Sequence, residues 1–429
     1  MSATIVALAS GRPPAGIAVV RLSGPMAGEC LRSLTAAPLP SPRRLTLRQL
    51  SGPDGLIDQT LVAWFPAPAS ATGEDTAEFH LHGGPAVVSG LIDALLAMPD
   101  IRLAEPGEFT RRAFANGQLD LAQAEGLADL VDAETSAQRK QALALAGGGL
   151  SALAETWRNR CLSLLAEAEA GLDFAEDEDD VATLIDEAAA TALAAMADEL
   201  AAVIADSGRA ARIRDGLTIV VTGPPNVGKS SIVNALSMKD AAIVTAIPGT
   251  TRDSIEVPLD LAGVAAILID TAGLRDTDDP IEAEGIARAR ARAAAADLVL
   301  HVTDQPGAPA PLSGLRVLNK YDLHKTRTSD DQIAISVKTG EGLANLRSFL
   351  VGWAQSTVRP GETAFLAHAR HRAAFSAAAA ALRESAEAAL PELRTESLRQ
   401  AAQAFGRISG RIDVDDVLDQ IFSRFCIGK

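Results

Sequence analysis

Apolar residues come in short runs broken by Gly and Pro over the first quarter of the chain. GIAVVRL (16–22), TLVAWF (60–65) and AEFHLHG (77–83) have the length and the β-branched and aromatic content of strands, and AVVSGLIDALLAM (86–98) reads as a helix. The opening MSATIVALASGRPPAGIAVVRLSG has apolar runs but no basic head, and GRPP interrupts it. It reads as strand–turn–strand rather than as a signal peptide. Residues 1–117 therefore predict a compact α+β domain.

From residue 118 the period changes. Leu150, Leu153, Trp157, Cys161, Leu164 and Leu172 recur at helical steps, as do Leu193, Met196, Leu200 and Val203. Cys161 lies on that apolar face and is expected in the core. The acidic run AEDEDD (175–180) between the two patterns is expected to be a solvated loop. Strand and helix patterns alternate over 212–354, as in a parallel α/β sheet, and helical patterning resumes in 355–429. The simplest organisation is a helical domain in two parts, 118–211 and 355–429, with an α/β domain inserted at 212–354. The expected fold class is multidomain, α/β plus all-α.

Composition narrows the partners. The chain of 429 residues carries a net charge of −16, which argues against a strong free-standing nucleic-acid binder. No run approaches the roughly 20 apolar residues of a membrane span. Cys30, Cys161 and Cys426 are far apart and lack metal-ligand spacing, which fits reduced thiols in a cytoplasmic protein.

The inserted domain carries the clearest chemistry. LTIVVTGPPNVGKSSIVNAL (217–236) is strand, Gly-rich loop and helix, with a full G-x-x-x-x-G-K-S from Gly223 to Ser230. The amides of Asn226, Val227, Gly228, Lys229, Ser230 and Ser231 are expected around the phosphates, with Lys229 on the β/γ-phosphates and Ser230 on Mg²⁺. VLNKYD supplies Asn319, Lys320 and Asp322, and ISVKTGEG supplies Ser336, Val337 and Lys338. A carboxylate at Asp322 accepts from both N1–H and the 2-amino group of guanine, and adenine offers no such pair. In this order the motifs select GTP over ATP. TAIPGTT places Thr245, Ala246, Ile247, Pro248, Gly249, Thr250 and Thr251 as switch I, with Thr251 on Mg²⁺. Asp270, Thr271, Ala272 and Gly273 end the strand that senses the γ-phosphate.

Two departures stand out. The segment QPGAPAPLSG (305–314) between two strands has three prolines and is too short for a usual crossover, so its helix is expected to be missing or reduced to a turn. Leu274 follows Gly273, where many small GTPases have the glutamine that orients the attacking water. Asp276, Asp278, Asp279, Glu282 and Glu284 are candidate replacements. Positive charge for the transition state has three candidate sources: Arg252, Arg275 or a monovalent cation held by Asn226.

These motifs, with TGEDTAEFHLHGGP, PGEFTRRAFANGQLDLAQAEGLADLVDA and the terminal FCIGK, resemble the MnmE (TrmE) family of potassium-activated tRNA-modification GTPases over nearly the whole chain. The resemblance implies an N-terminal folate-binding and dimerising domain, a helical domain and an inserted Ras-like P-loop G domain. It implies K⁺ on Asn226, Thr245, Ile247 and Thr250, promoting G-domain docking in a homodimer. Glu282 then orients the water. A flavoprotein partner of the MnmG (GidA) type, holding FAD, is implied for installing a (carboxymethyl)aminomethyl group on C5 of the wobble uridine of certain tRNAs. A tetrahydrofolate derivative is expected at Arg21, Glu78 and Lys429, with Gln118 where the family often has Lys. His82 matches the family, and a structural or pocket-lining role is expected for the pair His80 and His82. Cys426 is a candidate nucleophile near the folate. Two other classes fit parts of the chain. One is a GTP-dependent binding switch of ribosome-assembly type, which usually carries a basic appendage. The other is a folate enzyme with a regulatory GTPase.

Overall fold

The structure is a computed structural model that describes residues 3–174, 179–240, 256–270, 294–306, 314–324, 332–359 and 365–410, with residues 418, 421, 422, 425 and 428. The chain divides into two compact units, one of residues 1–128, 145–159 and 405–429, the other of 129–144 and 160–404.

The first unit is built on a sheet of order β3-β4-β5-β2-β1-β6. Its strands are β1 (Thr4–Leu8), β2 (Ile17–Ser23), β3 (Thr46–Gly52), β4 (Gly55–Phe65), β5 (Thr76–His82) and β6 (Ile101–Leu103). β6 runs parallel to β1, and the other pairs are antiparallel. Alternation decides which face is core. Ala18, Val20 and Leu22 of β2 and Ala77, Phe79 and Leu81 of β5 are buried with residues of α1 (Ala27–Thr35) and α2 (Pro85–Leu96). The intervening Arg21, Glu78 and His80 must then point to the opposite face. Three of the strands and the helix read from the sequence are present as β2, β4, β5 and α2, and β1 and β2 form the expected strand–turn–strand.

Helices α3 (Glu108–Ala115) and α4 (Leu121–Asp132) follow, then α5 (Ser136–Ala146), α6 (Gly149–Phe174) and α7 (Asp179–Asp215). Leu150, Trp157 and Cys161 of α6 are buried, as are Leu193, Met196 and Leu200 of α7. Burial pushes the Cys161 thiol up to about 12, so it packs and does not react. Of the acidic run, Asp179 and Asp180 already belong to α7, and 175–178 lie outside the described residues.

The second unit holds a sheet of order β12-β11-β10-β7-β9-β8. The strands are β7 (Leu217–Thr222), β8 (Glu256–Asp260), β9 (Ala265–Asp270), β10 (Leu298–Thr303), β11 (Leu315–Leu318) and β12 (Gln332–Ala334). All pairs are parallel except β8 with β9. Its helices are α8 (Lys229–Asp240), α9 (Tyr321–His324) and α10 (Leu343–Thr357), followed by α11 (Ala369–Glu387) and α12 (Pro391–Ser409). Ile219, Val221, Leu268, Leu300, Val302 and Val317 make the centre of its core with α8 and α10 residues. The crossover from β10 to β11, expected to have no helix or only a turn, includes residues 307–313, which lie outside the described residues.

A partly buried polar clasp brackets the α/β part. Arg214, just before β7, donates from Nε to Asp129 Oδ1 at 3.0 Å. Nε2 of His368, which precedes α11, lies 2.8 Å from Asp129 Oδ2. Burial alone would raise the Asp129 carboxyl, but His368 and Arg214 outweigh it and hold it below the usual range.

A second network lies in the first unit. Arg112 donates to Glu74 and Glu108, each at 2.9 Å, and Arg102 donates to Glu108. Burial would raise the Glu108 carboxyl, but bonds from Arg102, the Glu105 amide and Arg112 bring it from an ordinary 4.5 down to about 2. A depressed carboxylate stabilises the fold fully above its unfolded pKa, and that stabilisation is lost as pH falls towards 2. The gap corresponds to about 3 kcal/mol. Glu108→Gln is expected to lower stability at neutral pH by that order and to flatten the loss between pH 4.5 and 2 in urea melts. An unchanged acid profile would refute this account.

Candidate functional site

The nucleotide site forms at the C-terminal edge of the parallel strands, where open α/β sheets bind ligands. β7 runs into the loop Gly223–Gly228 and α8 begins at Lys229. Gly223 and Gly228 have φ of 148° and 96°, and a Cβ on them would collide with the Val302 carbonyl oxygen and the Asn319 side-chain nitrogen. The loop can close only with glycine there. The Lys229 ammonium donates to the carbonyls of Gly223 at 3.0 Å and Pro224 at 2.9 Å, which holds it across the loop. The Ser230 hydroxyl donates to Asp270 Oδ2 at the end of β9. A hydroxyl and a carboxylate so placed are the hard oxygen donors that Mg²⁺ takes.

The Asn-Lys-x-Asp loop is tied directly to this loop. Asn319 Nδ2 donates to the Val227 carbonyl at 2.8 Å, and its Oδ1 lies 3.4 Å from the Val337 amide. Lys320, with φ of 56°, donates from Nζ to the Asn226 carbonyl at 2.8 Å. Ser336 is fully buried and donates to Asp322 Oδ1 at 2.7 Å, which fixes the carboxylate at the start of α9. Ser231 and Lys338 are exposed beside these elements. Asn226, Val227, Gly228, Lys229, Ser230, Asp270, Asn319, Lys320, Asp322, Ser336 and Val337 are thus brought to one edge of the sheet. The expected residues Thr245, Ala246, Ile247, Pro248, Gly249, Thr250, Thr251, Thr271, Ala272, Gly273 and Glu282 lie outside the described residues. One contributor was not read from the motifs: Asp304, after β10, accepts from Lys320 Nζ at 2.8 Å. Its only signal was a carboxylate at the end of a central strand.

The first unit holds a separate constellation. Register pairs Arg21 with Glu78 across β2 and β5. Arg21 Nε and Nη2 lie 2.9 and 2.8 Å from Glu78 Oε1. Phe109 of α3 lies under the guanidinium, with its centroid 5.9 Å away. His80 Nε2 is 3.4 Å from Glu78 Oε2, and this buried nitrogen makes no hydrogen bond. His82 Nδ1 lies instead 2.8 Å from Asp58 Oδ1, so the two histidines serve different partners. Gln118 borders the loop at Gly73. Gly428 sits against the Leu8 carbonyl, and Phe422 and Phe425 pack with Leu121. Cys426 and Lys429 lie outside the described residues.

A P-loop tied to an Asn-Lys-x-Asp loop, with Ser230 facing Asp270, defines a GTP-binding G domain. Comparison with known proteins gives the family. Residues 4–118 match the model of the GTP-binding protein TrmE N-terminus, and residues 121–426 match that of the MnmE helical domain. The chain is 49% identical over 437 residues to the tRNA modification GTPase MnmE of Rhodopseudomonas palustris, covering 99% of each. It is 50% identical over 454 residues to that of Rhodospirillum rubrum, again covering 99% of each. Among solved structures, the G domain of the T. maritima FeoB iron transporter is 26% identical, matching 32% of this chain and 99% of that one with a TM-score of 0.23. The chain belongs to the MnmE family of tRNA modification GTPases.

Asp322→Asn tests the base site. An amide in place of the carboxylate loses a charged acceptor for the guanine N1–H and 2-amino donors, and GDP affinity should fall about ten- to a hundredfold. Xanthosine diphosphate, with an oxygen at that position, should gain. Titration of fluorescent nucleotides measures the ratio, and an unchanged ratio would remove Asp322 from base recognition.

Proposed function

We propose that this protein hydrolyses GTP in order to modify tRNA, installing a (carboxymethyl)aminomethyl group on C5 of the wobble uridine together with an MnmG-type flavoprotein that holds FAD. What carries this reading is one chain, related to MnmE proteins over its full length, that joins a guanine-reading P-loop site to a separate N-terminal constellation. The proposed division is an N-terminal domain of residues 1–117, a helical domain of 118–211 and 355–429, and a G domain of 212–354. The protein acts as a cytoplasmic homodimer. The net charge of −16 suits an arrangement in which the partner supplies much of the tRNA contact.

In the G domain, Ser230 and Thr251 would hold Mg²⁺. Asn226, Thr245, Ile247 and Thr250 would hold K⁺, which supplies positive charge at the phosphates. Glu282 would orient the water in place of the residue that Leu274 replaces. Support for the cation role comes from Asn226 itself. Its positive φ and the claim of Lys320 on its carbonyl fix its backbone and leave its side chain exposed at the phosphate loop.

In the N-terminal domain, the Glu78 carboxylate fits the adjacent N–H donors of a pterin, and the His80 nitrogen 3.4 Å from it, which makes no hydrogen bond, fits a polar ligand. Arg21 is bonded to Glu78, so the two act together at the pterin end of a tetrahydrofolate. Lys429 then falls to the anionic tail, with neutral Gln118 weakening one charge contact. Cys426 is the candidate nucleophile.

Two measurements test these readings. Mass spectrometry of tRNA from a strain lacking the gene should show wobble uridines without the C5 substituent. Fully modified uridines would favour a GTP-dependent binding switch instead. GTP hydrolysis should run at least about tenfold faster in K⁺ than in Na⁺ at equal ionic strength, since a cation in contact with the phosphates stabilises developing charge. Equal rates would contradict the K⁺ site.

A further inference from the structure

We propose that Asp304, which no nucleotide-binding motif includes, is a positioning residue of the nucleotide site that braces Lys320 as a wall for the purine. The inference rests on the reading of this edge as a GTP site and adds a residue to it. Lys320 leaves the chain at the end of β11, and its ammonium ends on the Asn226 carbonyl in the phosphate loop at 2.8 Å. Its methylene stem therefore spans from the base-reading loop to the phosphate loop, along the path that a nucleotide must follow. A lysine stem is flexible, and one neutral carbonyl holds it weakly. Asp304 Oδ2, 2.8 Å from the same ammonium, supplies the second and charged anchor.

Asp304 is itself held in place. The Gln305 amide donates to the Thr303 hydroxyl at 3.1 Å, closing a small turn around Asp304 at the end of β10. The Asn319 amide donates to the Thr303 carbonyl at 2.8 Å, so the turn and the Asn-Lys-x-Asp loop are fastened together one residue away. Pro306 follows the turn. The start of the proline-rich segment thus presents the carboxylate to Lys320. Preorganising the stem removes an ordering cost from nucleotide binding, and the benefit falls on any purine and not on guanine alone.

The experiment uses the full-length protein and the dissociation rates of mant-GDP and mant-IDP, the latter lacking the 2-amino group. Asp304→Ala and Asp304→Asn should speed the release of both nucleotides about five- to tenfold and by the same factor, a modest effect because the pair is partly exposed. Asp304→Glu should restore most of the wild-type retention. Asp322→Ala should instead speed mant-GDP release by a larger factor than mant-IDP release, because inosine keeps N1–H but has no 2-amino donor to lose, and this inequality separates base reading from bracing. Release from both Asp304→Ala and Asp304→Asn within about twofold of wild type would overturn the proposal while leaving the GTP site intact. A wild-type protein that retains neither nucleotide would overturn the site and the proposal together.

Discussion

Two consecutive side chains, Asn319 and Lys320, donate to the consecutive carbonyls of Val227 and Asn226, which lie 92 and 94 residues away. These bonds set the distance between the P-loop and the Asn-Lys-x-Asp loop. The parallel register of β7 with β10 and of β10 with β11 brings the strand ends to one edge. Gly223 and Gly228 let the loop approach closely enough for the bonds to form. A change in any of these would be felt as a changed fit to the length of a nucleotide.

Much of this was legible in the sequence because the residues concerned stand in short ordered motifs. The loop from Gly223 to Ser230 carries its own geometry. Asn319, Lys320 and Asp322 are interpretable once a P-loop precedes them. GIAVVRL and AEFHLHG were legible as strands, but the face that Arg21 and Glu78 share and their pairing needed the buried set and the register between β2 and β5. Leu274 signalled a missing water-orienting group but not its substitute.

What escaped the sequence are polar contacts between residues far apart along the chain. Glu108 and Arg112 lie one turn apart on α3 and Arg102 lies just before it on β6, yet the reach of Arg112 to Glu74 spans 38 residues. Asp129 with His368 spans 239. Asp304 looks like any polar residue ending a strand. Single charges of this kind have no periodicity and no fixed spacing, so only the fold reveals which of them meet. The open orientation of the Arg21–Glu78 pair has a similar lesson. The family resemblance implies Arg21 and Glu78 as folate contacts one by one, but their direct bond makes them one unit.

The clasp at Asp129 bears on how the inserted α/β segment can move. Its entry, at Arg214, and its exit, near His368, meet on the two oxygens of one carboxylate. A segment fastened at two separate points can shear between them. Here entry and exit share one carboxylate, so Arg214 at the end of α7 and His368 before α11 cannot part without breaking a charged contact to Asp129. α5 adds a further tie, the Ala137 amide donating to the Gly263 carbonyl at 3.0 Å, so the helices and the sheet are joined at more than this carboxylate.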